Sequence, residues 1–267
     1  MRLATLLLMT GIVFGPQGLA VLTPGIIDVL RPAVAVALAV LGVTIVFGRA
    51  AYGGFWRTQL PSSLILAGAV ALVLLNHDAV AAMVIAGLAA GIAILLAVAG
   101  WMLSSAKAGD DERRVFAIAV LLLLGGVADY LSVSALLLGW IAATAWRLMP
   151  AKGLADVRLD AAYVQHPTTA LLLITAGARA EVSWQTTLMA GAACAFALAT
   201  LLVIRRQQHV LVGKFNGVPV APAAFAVALV MDAARLDPRL TVLLSVAVLA
   251  VSAFDVVSTL GREKAAA

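Results

Sequence analysis

Segment 79–103 carries no charged side chain, and apolar runs of the same kind recur from one end of the chain to the other. A run of that length is satisfied either by a very large core or by lipid, where about 20 apolar residues make one crossing helix. Composition decides between them. The chain has 267 residues, 64% of them apolar and 12% charged, with a mean hydropathy of +1.09. A water-soluble domain carries about 45–50% apolar and about 25% charged residues, so this excess cannot be hidden in one water-bounded core. The same numbers exclude a disordered chain. The single cysteine, Cys194, excludes a disulfide scaffold. The runs are continuous and rich in Ala and Leu rather than alternating, which argues for helices and against an outer-membrane barrel. The expected fold class is therefore all-α: a polytopic helical membrane protein, one transmembrane domain over residues 1–267.

Ten segments have the length and apolarity to cross or partly cross a bilayer: 3–15, 33–48, 62–75, 79–103, 115–131, 132–148, 168–180, 185–204, 222–235 and 240–260. Polar or Pro/Gly-rich links separate most of them, including Gly15–Gly18, Ala106–Arg114, Pro150–Pro167 and Asp237–Arg239. Ten alternating crossings divide the 18 Lys and Arg residues very unequally: only Arg31, Arg179, Arg235 and Arg239 fall on one side. That asymmetry is what orientation by cytoplasmic positive charge produces, and it puts both termini in the cytoplasm. It also explains the net charge of +5, so no nucleic-acid partner is expected. The start of the chain, Arg2 followed by an apolar run, is read as a first crossing helix rather than a cleaved leader, because no small-residue cleavage site directly follows.

Six charged residues fall inside these segments: Asp129, Arg147, Arg179, Asp232, Arg235 and Asp255. Most sit near a segment end, where water or snorkelling can solvate them. Asp129 and Asp255 are candidates for a polar pathway, or else interface-level residues at helix ends. The triplet Asn76-His77-Asp78 differs, because it lies between two apolar segments with no basic residue nearby. It is either a short turn on the outer side or a helix interruption at membrane depth. Segment 62–75 would rise only about 21 Å as a helix against a core of about 30 Å, which leaves room for the second option. A carboxylate held at that depth would take up a proton or a small cation in turn.

Short or Gly/Pro-broken segments, such as 3–15 with Gly15-Pro16 and 168–180 with Gly177, are the sequence pointer to discontinuous helices in secondary transporters. Two GxxxG patterns, Gly11–Gly15 and Gly87–Gly91, permit close helix contact. Tyr130, Trp140, Trp146 and Trp184 read as interfacial belt residues. His166-Pro167 reads as a loop turn before the seventh crossing. There is no HExxH, no paired CxxC and no phosphate-binding loop, and the three histidines are scattered, so no enzyme activity, cofactor or metal site is expected.

Several stretches resemble the membrane domain of bacterial monovalent cation:proton antiporters of the Kef type. Gly11–Leu30 is similar to that family's early helix and GP-x-GL loop, and Phe47–Arg57 to the basic end of its next helix. Arg114–Ala145 resembles its helix pair around a GLSxALGAFLAG motif. His166–Trp184 resembles its PLFFxxxGxxxDL helix, with Gly177 at the Gly and Glu181 near the acid. The resemblance implies exchange of protons for Na⁺ or K⁺ across the bacterial inner membrane. It implies Asp78 as the ion-binding carboxylate, with Asn76 and His77 beside it, and a homodimer. The chain differs from that family in its smaller helix number, in the apolar stretch Cys194–Ile204 where a basic residue is usual, and in Pro222–Phe225 where an RGE stands. Those differences imply the alternative, a non-transporting membrane subunit or scaffold of a larger complex.

Overall fold

A computed structural model describes residues 3–47, 79–105, 110–148, 154–195 and 221–266. Every element among them is helical: α1 (Leu3–Phe14), α2 (Pro24–Val29), α3 (Arg31–Phe47), α4 (Ala79–Ser105), α5 (Asp110–Tyr130), α6 (Ala135–Leu148), α7 (Leu154–Arg179), α8 (described over 184–195), α9 (Ala221–Leu236) and α10 (Thr241–Ala266). A 3₁₀ turn, Pro238–Leu240, precedes α10. The all-α expectation therefore holds for the described residues. Segment 62–75 and residues 196–220 lie outside them. Among the described residues, no helix is long and apolar enough to cross a membrane.

Local chemistry accounts for where the helices begin and end. Proline, which has no N–H to lose at a helix start, opens α2 at Pro24 and sits in the first turn of α3 at Pro32. Arg147, Arg179 and Arg235 occupy the last turns of α6, α7 and α9. Each charge thus complements the dipole at its helix end. The hydropathy dip between α5 and α6 is slight, and backbone geometry makes the break instead. Ser132 adopts φ 51°, and the N–H groups of Ser132 and Val133 bond the carbonyls of Asp129 (3.3 Å) and Ala128 (3.0 Å). This is a Schellman ending. Ser134 then caps α6 through its hydroxyl, which accepts from the Leu137 N–H at 3.1 Å. Ser132 pays for the left-handed backbone that glycine adopts freely. Ser132→Gly is expected to raise stability by about 0.5–1 kcal/mol in a denaturation midpoint.

Two sequence expectations are corrected here. The stretch Pro150–Pro167 is not a link throughout: it is helical from Leu154, and His166-Pro167 lies inside α7 rather than in a loop turn. Proline inside a helix deprives one carbonyl of its partner. Thr168 and Thr169 accompany it, their hydroxyls donating to the carbonyls of Val164 and Gln165 at 2.7–3.0 Å. Likewise α5 starts at Asp110, within the expected link Ala106–Arg114.

The chain forms two compact units, with the boundary inside α7. The first comprises residues 1–27, 173–234 and 238–267; the second comprises 28–172 and 235–237. In the second unit α3 is the central helix, buried at most of its positions from Val34 to Phe47. Glycines let its neighbours approach to backbone contact. Gly42 of α3 faces the Leu136 carbonyl of α6, and Gly139 of α6 faces the Ala39 carbonyl of α3. Gly125 of α5 lies against Val36. At the other end of this unit Trp146 stacks on Phe47 (centroids 6.4 Å apart) and donates its indole N–H to the Ala97 carbonyl at 2.6 Å. Trp146 is therefore buried packing, not a belt residue as expected. Tyr130 and Trp184 are exposed as a belt residue would be.

Candidate functional site

Three described ionisable side chains converge at the break between α5 and α6, in the second unit. Asp129, in the last turn of α5, accepts from two arginines through the same oxygen, Oδ1. Arg31 Nε, at the start of α3, lies at 3.1 Å, and Arg235 Nη1, at the end of α9, at 3.0 Å. The second terminal nitrogen of Arg235, Nη2, donates to the carbonyl of Val133, the residue that follows left-handed Ser132. Exposure grades across the cluster: the Arg235 side chain is 1% exposed, Asp129 26% and Arg31 45%. A charge as buried as Arg235 is tolerated only when paired and hydrogen-bonded. Asp129 and the Val133 carbonyl answer that need at Nη1 and Nη2, and in doing so they tie the turn between α5 and α6 to the tip of α9.

A second constellation lies in the first unit, where α1 and α7 both end. Gly11 of α1 and Gly15, just past its end, seat on Gly177 and Ala178 of α7. A Cβ at Gly11 would stand 2.9 Å from the Gly177 Cα, and one at Gly15 would stand 3.0 Å from the Ala178 Cα. The GxxxG of α1 is thus a true close-contact face. The link leading from α7 to α8 is held by side chains from elsewhere in the same unit. The Glu181 N–H donates to Ser245 Oγ and the Val182 N–H to Gln17 Oε1, both at 2.8 Å. Ser183 caps α8, its hydroxyl accepting from the Thr186 N–H at 3.2 Å, while the buried Thr186 hydroxyl donates to the Glu181 carbonyl at 2.9 Å. Gly177 does not break the seventh segment as expected: α7 runs unbroken through it to Arg179, because glycine there serves close contact with α1, and the chain leaves the helix only in the link at 180–183.

The sequence candidates fare differently. Asn76, His77 and Asp78 lie outside the described residues. Asp255 lies on α10. Asp129 is at a helix end, engaged by two arginines. Arg31 and Arg235, entered in the sequence reading only as charges, are its partners; positions 98 and 106 residues away carry no local signal of that pairing. Among the described residues no group of three His, Cys, Asp or Glu side chains could hold a metal ion. No protein family, curated protein or solved structure matches the chain.

Proposed function

We propose that this chain is a ten-crossing membrane protein of the bacterial inner membrane, with cytoplasmic termini, and a secondary transporter related to the monovalent cation:proton antiporters. One observation supports the membrane reading most strongly. Counting basic residues along the sequence puts Arg31, the Asp129 end of the fifth crossing and Arg235 all at the outer side, without reference to any contact. The fold brings these three within 3.1 Å. The same count places Phe47, Ala97 and Trp146 toward the cytoplasmic side, and they too meet. Large apolar side chains also stand exposed along successive helices, among them Leu6, Leu88, Leu95, Leu122, Leu123 and Leu188. In water such surface is costly; in lipid it is the expected exterior.

Against this stands the absence, among the described residues, of a helix long and apolar enough to cross. The sequence of α4 weighs the other way. It runs 27 helical residues without a charge, about 40 Å at 1.5 Å per residue, against a core of about 30 Å. The membrane reading rests on the whole of that run.

In the transport reading Asp78 alternates between a proton and Na⁺ or K⁺, with Asn76 supplying a neutral oxygen and His77 beside them. A second reading, a non-transporting subunit of a larger complex, is favoured by one specific observation: Asp129, the described candidate acid, already holds two guanidinium groups. Reconstituted vesicles separate the two. For a transporter, a Na⁺ or K⁺ gradient drives a change in internal pH, and Asp78→Asn abolishes it. Exchange that persists in Asp78→Asn removes Asp78 as the site. No exchange, together with stable co-purification of other membrane subunits, establishes the scaffold.

A further inference from the structure

Beside the Asp129 cluster, α5 carries an open apolar groove of about 360 Å³ lined by Leu122, Leu123, Gly126, Val127 and Tyr130. Among the described residues nothing approaches within 4 Å of where a Gly126 Cβ would stand, so the groove floor is bare backbone. Its walls are exposed leucines, and Tyr130 at its head is 89% exposed. Asp129 is one residue from Tyr130 and, by helical spacing, on the row of Leu122 and Gly126. The apolar groove therefore runs up to the carboxylate that holds Arg31.

Arg31 gives Asp129 only its Nε. Its two terminal nitrogens make no bond among the described residues, and its side chain is nearly half exposed. Asp129 Oδ1 is shared with Arg235, so Arg31 is not fully compensated by it. A guanidinium held by Asp129, the residue next to Tyr130 of the groove lining, and with two donors unused among the described residues, has the chemistry of a phosphate clamp beside an acyl channel. We propose that this groove holds one anionic glycerophospholipid, an acyl chain along Leu122–Val127 and its phosphate on Arg31. The occupant is a lipid rather than a free phosphate because the larger part of the surface is apolar. It is a lipid rather than a partner helix because the head of the groove offers charge for a phosphate. The inference rests on the membrane reading above.

The test uses the purified full-length chain in detergent, with phosphatidylglycerol or phosphatidylcholine of identical acyl chains added and bound lipid counted by native mass spectrometry. Wild type is expected to retain one phosphatidylglycerol in preference to phosphatidylcholine. Arg31→Gln is expected to lower that preference about tenfold, the worth of a charge-assisted contact. Arg31→Lys should keep most of it, which guards against a merely misfolded variant. Gly126→Leu fills the groove without touching charge and should reduce retention of both lipids. Equal retention of the two lipids, unchanged in Arg31→Gln and Gly126→Leu, overturns the proposal. So does glycerol 1-phosphate competing as well as the whole lipid. Alkaline carbonate washing of native membranes keeps the two levels apart. A chain released into the wash defeats the membrane reading; a retained chain without lipid preference defeats only the lipid site.

Discussion

Gly139→Leu is expected to abolish the folded second unit. A Cβ at Gly139 would collide with the main chain of Ala39, its carbonyl oxygen nearest, and further side-chain atoms have nowhere to go. Overpacking in a core costs about 1–3 kcal/mol when neighbouring side chains can shift. Here the obstacle is helix backbone, and relief requires α3 and α6 to separate. Separation would also pull Gly42 off the Leu136 carbonyl, so the loss propagates along the whole contact. The expected reading is loss of cooperative unfolding and of the circular-dichroism signal of packed tryptophan, since Trp140 and Trp146 both lie on α6. Gly126→Ala on α5 is the control. Nothing described crowds its Cβ, and alanine's better helix propensity should stabilise by up to about 1 kcal/mol. If Gly139→Leu unfolds no more easily than Gly126→Ala, the close α3–α6 contact does not exist.

Asp129→Ala is the second large effect. It leaves Arg235, whose side chain is 1% exposed, without the carboxylate at 3.0 Å. Breaking a buried ion pair from one side costs about 3–5 kcal/mol, and the partial exposure of Asp129 brings the expectation to about 2–3 kcal/mol. Removing the exposed partner instead, by Arg31→Gln, should cost no more than about 1 kcal/mol, as for ordinary surface pairs. Arg235→Met combined with Asp129→Ala should recover part of the loss, because an apolar replacement of a buried pair is often neutral. That inequality, with the double variant more stable than Asp129→Ala alone, is the signature to look for in denaturant unfolding. Additive losses would show that the Asp129 carboxylate contributes little to holding Arg235.

The sequence carried most of the helices, because uninterrupted apolar runs and charged helix ends are local signals. The helix through His166-Pro167 was not legible. Proline reads as a breaker, whereas the structure keeps it inside α7. Trp146 was misjudged because a tryptophan near a helix end looks the same whether it faces lipid headgroups or the Ala97 carbonyl. In the sequence the α5–α6 turn shows only as the abutting ends of segments 115–131 and 132–148. Its true signal is backbone torsion at Ser132, which residue type does not announce. The pairing of Arg31 and Arg235 on Asp129 was half-written in the chain. The charge count placed all three on one side, but nothing short of the fold could say that they touch.

Single-cysteine labelling tests the central claim most directly. The chain has one cysteine, so Cys194→Ser provides a blank background. Ala20→Cys and Leu148→Cys then place exposed thiols in the link after α1 and at the end of α6. Ten crossings with cytoplasmic ends require that a membrane-impermeant maleimide, added to cells whose outer membrane has been opened, label position 20 and spare 148 until the inner membrane is broken. Equal labelling of both positions in cells with an intact inner membrane would contradict the crossing pattern on which the transport proposal and the lipid site depend.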